Sequence, residues 1–399
     1  MRHYKILSIV VLSFLILFIA CSKSDDDSAT SGITFNQQSQ TEDINQGETS
    51  KGTEDDQSEN NNSFDRVKMM TFVTEEIIIP SYDNLNTSLT ELKESYELFK
   101  INITEHNLEE LRNKWLNSYK FWQHVEMYNI GKSMEDYLIF RSNIYPVDTV
   151  RVNQNIDNGQ YDLENPNNYA AQGFPTMDYL LYGIDNDPVK VIDHYKENDK
   201  VMNYLGALIE DLKANVKTVN EDWNQAKSEF VNSVDNTASS NLNMMVNDFI
   251  YYYEKGFRAN KFGIPAGVFS GGALPDRVEG FYSKNFSKVF ALEAMTSIKK
   301  FFNGESYKDD ELEGLGLKSY LDFVEKDKEE LLSDKINNQL IDAEKSINEL
   351  DNNFSDQIES DLIKVLKTYD DIQTAVVLLK VDMLQALNIA VDYADADGD

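Results

Sequence analysis

From Val67 onward, apolar residues recur every three or four positions, and the strict alternation of a half-buried strand is scarce. Val201, Tyr204, Leu205, Leu208, Ile209, Leu212 and Val216 lie on one face of a helix. Leu242, Met245, Val246, Phe249, Ile250 and Tyr253 do the same, as do Leu362, Val365, Leu366, Tyr369, Ile372 and Val376. Such stripes are the core faces of packed helices. The pattern predicts helices near 66–79, 81–100, 105–130, 133–142, 174–183, 188–232, 238–260, 276–302, 317–350 and 356–390. Pro80 should start or kink the first long helix, because proline removes a backbone donor and crowds the preceding turn. The polar stretch "NSVDNTASSN", Asn232 to Asn241, is the best interior boundary. The predicted fold class is therefore all-α, with helical-bundle lobes at 65–235 and 236–399.

The N-terminal part follows a different pattern. A short basic start, "MRHYK", precedes the apolar run "ILSIVVLSFLILFIA" and then Cys21, the only cysteine of the chain. Residues 1–20 have the order of a secretory signal peptide and are too short for a comfortable membrane-spanning helix. Phe18-Ile19-Ala20-Cys21 resembles a bacterial lipobox, with phenylalanine where leucine is usual, so Cys21 is the expected lipidation site. Residues 21–64 are rich in serine, asparagine, glutamine, glycine and acids, and read as a disordered acidic tether. The run Asp25-Asp26-Asp27 resembles signals that direct lipoproteins to the outer surface, and it reads equally well as linker charge. The expected location is the outer membrane or cell surface, with the helical part outside the cytoplasm and the membrane reached through the lipid.

Charge and motifs narrow the chemistry. The formal net charge of −32 argues against nucleic acid as a partner. Neither a Gly-x-Ser-x-Gly nor a His-Glu-x-x-His motif occurs. His106, His124 and His194 are scattered and read as surface or capping residues. The closing "DADGD" starts like a calcium loop, but no distal glutamate follows it. Carboxylates remain. Glu126 stands one turn past Trp115, Tyr119 and Trp122 and should border their core, where an acid needs a partner. In "GFPTMDYLLYG", Asp178 lies among Met177, Leu180 and Leu181, one turn after Pro175. An acid near a helix start is also favoured by the helix dipole alone.

Together these residues resemble the imelysin family of extracytoplasmic helical proteins. The resemblance runs from "VTEEIIIPSYDNLNTSLTELKESYELF", through the tryptophan helix with Glu126 and Gly131, to "NIYPVD", "GFPTMDYLLYG", "KFGIPAGVFSGG" and the terminal "DADGD". It covers roughly residues 67 to 399. The family signature is Gly-x-His-x-x-Glu, whose histidine and glutamate share a helix face as a plausible metal pair. In this sequence Gly173 matches, Pro175 takes the histidine position and Asp178 the glutamate position. Proline coordinates nothing.

The resemblance places a site in a cleft between the lobes. It implies a ligand- or metal-binding envelope protein connected with iron uptake, with iron or another divalent cation as the candidate cofactor. Glu126 and Asp178 are the candidate ligand and metal residues, with Gly173, Pro175, Arg258, Lys261, Gly263 and Pro265 around them. Arg258 and Lys261 are expected to pair with Glu126 or Asp178. The turn "FGIPAGVFSGG" either presents backbone N–H groups to the cleft or only shapes a tight loop. A helical interaction module that engages envelope proteins is the alternative reading. A metal-dependent peptidase is the second, and it lacks the signature histidine that a hydrolytic metal site would use.

Overall fold

The computed structural model describes residues 63–391, apart from residues 186 and 310. Cys21, the expected signal peptide, most of the expected tether and the terminal "DADGD" lie outside the described residues. Among the described residues the chain is all-α, and its only extended pairing is a single bridge between Glu305 and Glu313. None of these helices is long and apolar enough to cross a membrane.

The first helical run does not break at Pro80. Helix α1 (Arg66–Phe72) passes through a π-helical stretch, Val73–Ile78, into α2 (Ile79–Ile101). A proline inside a helix leaves the carbonyl four residues back without its donor. Here that carbonyl belongs to Glu76, and it accepts instead from the backbone N–H of Tyr307 at 2.9 Å. The orphaned acceptor becomes a tie to a distant segment.

Caps fix most of the later helix starts. The Thr104 side chain accepts from Asn107 N ahead of α3 (Glu105–Trp122). Two short helices follow, α4 (Lys132–Glu135) and α5 (Leu138–Ser142). Helix α6 (Thr149–Asn158) is capped by Asp148 and stopped by Gly159 at φ +63°. The apolar pattern does not announce α6, because asparagine, glutamine and arginine fill most of its turns. After α7 (Gly173–Asp178) and a π turn (Tyr179–Gly183) come α8 (Pro188–Glu197) and α9 (Asp199–Phe230), separate helices because Asn198 caps the second.

The chain turns through residues 231–240 into α10 (Asn241–Tyr251), which continues as a π-helical stretch, Tyr252–Gly263. Helix α11 (Ser287–Asn303) begins well after residue 276, because residues 278–286 form a loop instead. The helix expected over 317–350 is two, α12 (Leu317–Val324) and α13 (Leu332–Asn348). The carboxylate of Glu325 caps the second by accepting from Leu332 N at 2.8 Å. Helix α14 (Phe354–Val377) runs through a further π stretch, Leu378–Met383, into α15 (Leu384–Leu387).

Helices α2, α3 and α9 pack as one bundle. Helices α11, α13 and α14 pack with the Tyr252–Gly263 stretch as another. Helix α11 also touches α3 and the Val73–Ile78 turn, so a single apolar core runs through both bundles. All the stripe residues named above are buried except Leu362 and Leu366, which are half-buried.

Candidate functional site

The tryptophan helix holds α7 from one side. Trp115 Nε1 donates to the Phe174 carbonyl at 3.2 Å, and the Tyr119 ring stacks on Phe174 with centroids 4.6 Å apart. Gly173 closes the other side. Its φ is +74°, and a Cβ there would stand 2.2 Å from the Ser142 carbonyl oxygen, so only glycine fits. The π turn after α7 exposes carbonyls that need donors. Tyr195 Oη supplies one to Leu180 at 3.1 Å, and the Arg112 guanidinium supplies two to Leu181 at 3.0 and 2.6 Å. Asp178 is thereby held at the junction of an α-helix and a π turn, with 1% of its surface exposed.

Its partners come from the loop that replaces the first turns of the expected 276–302 helix. Asp178 Oδ2 accepts from Tyr282 N at 3.0 Å, and Oδ1 accepts from Ser283 N at 3.0 Å. Burial pushes the Asp178 carboxyl up from 3.8 to about 7. The loop hydrogen bonds oppose that rise, and the Glu279 charge adds to it. Neither Arg258 nor Lys261 reaches Asp178; of the expected pairs Lys261–Glu126 forms, at 3.9 Å.

Glu126 has different partners. Helix α3 stops at Trp122, and residues 123–127 form tight turns. Glu126 therefore leaves the stripe of Trp115, Tyr119 and Trp122 but stays buried. Its Oε1 accepts from Asn143 Nδ2 at 2.7 Å and its Oε2 from Tyr252 Oη at 3.3 Å. Next to it lies Glu279, which accepts from Gln123 Nε2 and Asn143 Nδ2, each at 2.9 Å. Lys261 Nζ reaches Glu279 Oε2 at 2.5 Å, Gln123 Oε1 at 2.7 Å and Glu126 Oε2 at 3.9 Å. The ammonium is thus the internal cation of a buried carboxylate pair. Burial raises the Glu126 pKa; Lys261 pulls it down and Glu279 pushes it up. Arg258 lies elsewhere, 3.7 Å from Glu254 and with its guanidinium 5.1 Å from the centre of the Tyr369 ring.

A cavity of about 170 Å³ opens beside Asp178, lined among others by Tyr145, Pro175, Asp276, Val278 and Tyr282. Tyr145 joins this cavity to the buried network. Burial and the charges of Glu279 and Glu126 hold its hydroxyl well above the usual tyrosine range. Among the described residues no group of three His, Cys, Asp or Glu side chains is placed to hold a metal ion.

The imelysin family model, also named Peptidase M75, matches residues 78–378. The chain belongs to the imelysin family. Two solved structures share its fold. One is an imelysin-like protein from Psychrobacter arcticum 273-4, with TM-score 0.63 and 17% identity, covering 82% of this chain and 97% of that one. The other is a candidate iron-regulated protein A precursor from Parabacteroides distasonis ATCC 8503, with TM-score 0.63 and 15% identity, covering 80% of this chain and 95% of that one. No curated protein sequence matches the chain significantly.

In this imelysin the signature positions Pro175 and Asp178 line one cavity, and Gly173 is the pivot beneath them. Gly263 and Pro265 are not among the residues lining that cavity. A Cβ at Gly263 would stand 2.7 Å from the Tyr369 ring. Backbone donors of the "FGIPAGVFSGG" turn serve the turn itself: Val268 N bonds Gly263 O at 2.9 Å, and Leu274 N bonds Pro265 O at 2.8 Å. These glycines and Pro265 shape a tight interhelical loop.

Two central residues, Glu279 and Asn143, are not among the candidates that the sequence offers. The apolar pattern predicts a helix over Glu279 that does not form there. Asn143 opens the segment "NIYPVD", whose matching motif was the available signal for both it and Tyr145. His124 differs from its expected surface role. It is buried, with Nδ1 at 2.6 Å from Tyr307 Oη and Nε2 at 3.0 Å from Glu293 Oε2.

Proposed function

We propose that this imelysin is a lipid-anchored envelope protein that binds a small ligand in the Asp178 cavity, serves iron handling, and does not hydrolyse peptides. The observation that carries the reading is the cavity itself, formed where the family signature falls, with Pro175 and Asp178 in its wall. Both Asp178 oxygens hold a loop, and the Glu126–Glu279 pair is already engaged with Lys261. A hydrolytic metal centre needs several fixed ligands and an open position for water, and proline stands where the signature histidine would supply one. The iron connection is supported by the name of the Parabacteroides relative. The anchor is supported by Cys21 behind its apolar run.

Two outcomes are expected. Cys21→Ser should move the protein from the membrane fraction to the soluble one, since one lost lipid removes about 0.8 kcal/mol for every buried methylene. A mature N-terminus without lipid, found by mass spectrometry, would defeat the anchor. In iron-restricted medium, a strain lacking the protein should accumulate several-fold less iron. The full chain should restore uptake, and Val147→Trp, which fills the cavity rim, should not. Normal iron accumulation in the deletion strain would remove the iron role.

The purified full chain, with or without zinc, should leave denatured protein substrates intact. Chelator-sensitive cleavage that disappears in Asp178→Ala would make the protein a peptidase after all.

A further inference from the structure

We infer that the Asp178 cavity selects a small organic ammonium ion, bound between carboxylates and aromatic rings. The inference rests on the binding reading above and gives it a ligand class. Three observations support it.

The first is charge. The lining includes two carboxylates, Asp178 and Asp276, and contains no lysine, arginine or histidine. Behind the wall stand Glu126 and Glu279, whose charges act on the Tyr145 hydroxyl. Four carboxyl groups thus face one ammonium, that of Lys261, which is committed to Glu279 and Gln123. Another buried acid, Glu254, is surrounded differently. Glu254 has Lys255 at 3.0 Å, Lys380 at 3.3 Å and Arg258 at 3.7 Å. The protein thus surrounds one buried acid with its own cations and leaves the cavity side with more carboxyl groups than cations, so that a bound cation would favour release of the Asp178 proton.

The second is the wall. Tyr145, Phe281 and Tyr282 supply aromatic rings, and Pro146, Val147 and Val278 supply apolar surface. Ring faces attract cations, most strongly once water is excluded. Phe281 and Tyr282 are braced. Tyr282 packs edge-on against Tyr179 and Phe281, with centroids 5.0 and 5.1 Å away, and Gly183 leaves it room because a Cβ there would fall 2.1 Å from the ring. A braced wall loses little freedom on binding.

The third is size and access. About 170 Å³ is well below the roughly 300 Å³ at which drug-sized sites begin. The occupant is therefore a compact ion of a few heavy atoms. Asp276 is exposed at the rim and has no hydrogen bond or ion pair with any described residue, so it is available to an incoming cation.

Calorimetric titration of the full chain in detergent tests this with choline, its neutral isostere 3,3-dimethylbutanol, acetate and calcium. Choline should bind at least about tenfold more tightly than the isostere, and acetate should not bind. Asp276→Lys places a competing cation at an exposed position. It should weaken choline at least about tenfold with an unchanged melting temperature. Equal binding of choline and isostere, preference for calcium, binding indifferent to Asp276→Lys, or no binding at all would overturn the ammonium assignment. If that happens while Val147→Trp still fails to restore iron accumulation, the cavity keeps its role and only the ligand class falls. If choline binds as expected but the deletion strain handles iron normally, the iron role falls and the ammonium site stands.

Discussion

Replacing Lys261 by methionine should destabilise the protein by about 3–5 kcal/mol, the usual consequence of removing one partner from a buried ion pair. The substitution keeps most of the side chain, one atom shorter, and removes its charge. Glu279 Oε2 then loses its donor at 2.5 Å, and Gln123 Oε1 loses its donor at 2.7 Å. Glu126 loses the positive charge that favours its ionised form. Domains are typically stable by only about 5–15 kcal/mol, so the loss is a large share of the total. Urea unfolding at neutral pH measures it. Neutralising the acid as well, in Lys261→Met/Glu279→Gln, should recover about 2 kcal/mol, because an uncompensated buried charge is worse than a buried amide. A single variant within 1 kcal/mol of the parent would show that water already screens the pair. A double variant no better than the single one would show that packing, not charge, sets the loss.

That network also marks how far the sequence could be read. Long helices were legible because an amphipathic stripe repeats over many turns. All the stripe positions named in α9 and α10 are buried. The site was legible only in part. Glu126 and Asp178 stood out as acids among apolar residues, and both are buried and hydrogen-bonded. Their true partners were hidden, because each depends on a departure from regular helix. Glu279 and the Tyr282 and Ser283 amides sit in a loop where the helical pattern continued on paper. Asn143 follows a helix of one turn and a half, too short to leave a period. Tyr252 and Lys261 lie in a π-helical stretch, which rotates side chains away from the 3.6-residue register. Pro80 was legible in part: it stands in the first turn of α2 as expected, but the donor that its freed Glu76 carbonyl finds is more than two hundred residues away.

The stability of the protein should fall as the pH rises from about 4 to about 7, and Asp178 should be a principal cause. Its carboxyl is pushed up from 3.8 to about 7 in the folded chain. Below pH 3.8 both folded and unfolded states hold the proton, and the contribution is fully present. Between the two values the unfolded chain ionises while the folded one keeps its proton, so each pH unit removes about 1.4 kcal/mol. Above the folded value the contribution is gone, and the whole change is on the order of 4 kcal/mol. The upward push on Glu126 acts in the same sense. The lowered pKa of Glu293, beside His124 and Lys120, acts in the opposite sense at lower pH. The total curve therefore mixes several groups, and Asp178→Asn isolates the one in question. An amide offers one oxygen to two backbone donors, Tyr282 N and Ser283 N, so the variant loses about 1–3 kcal/mol at every pH. It has no proton to release, so the advantage of the parent over the variant should shrink from pH 4 to pH 8 by roughly the amount above. Urea midpoints of both proteins across that range give the difference directly. A parent advantage that stays flat, or grows with pH, would mean that the two amide donors outweigh burial and keep Asp178 ionised throughout. The carboxylate would then be a permanent clamp on the 278–286 loop.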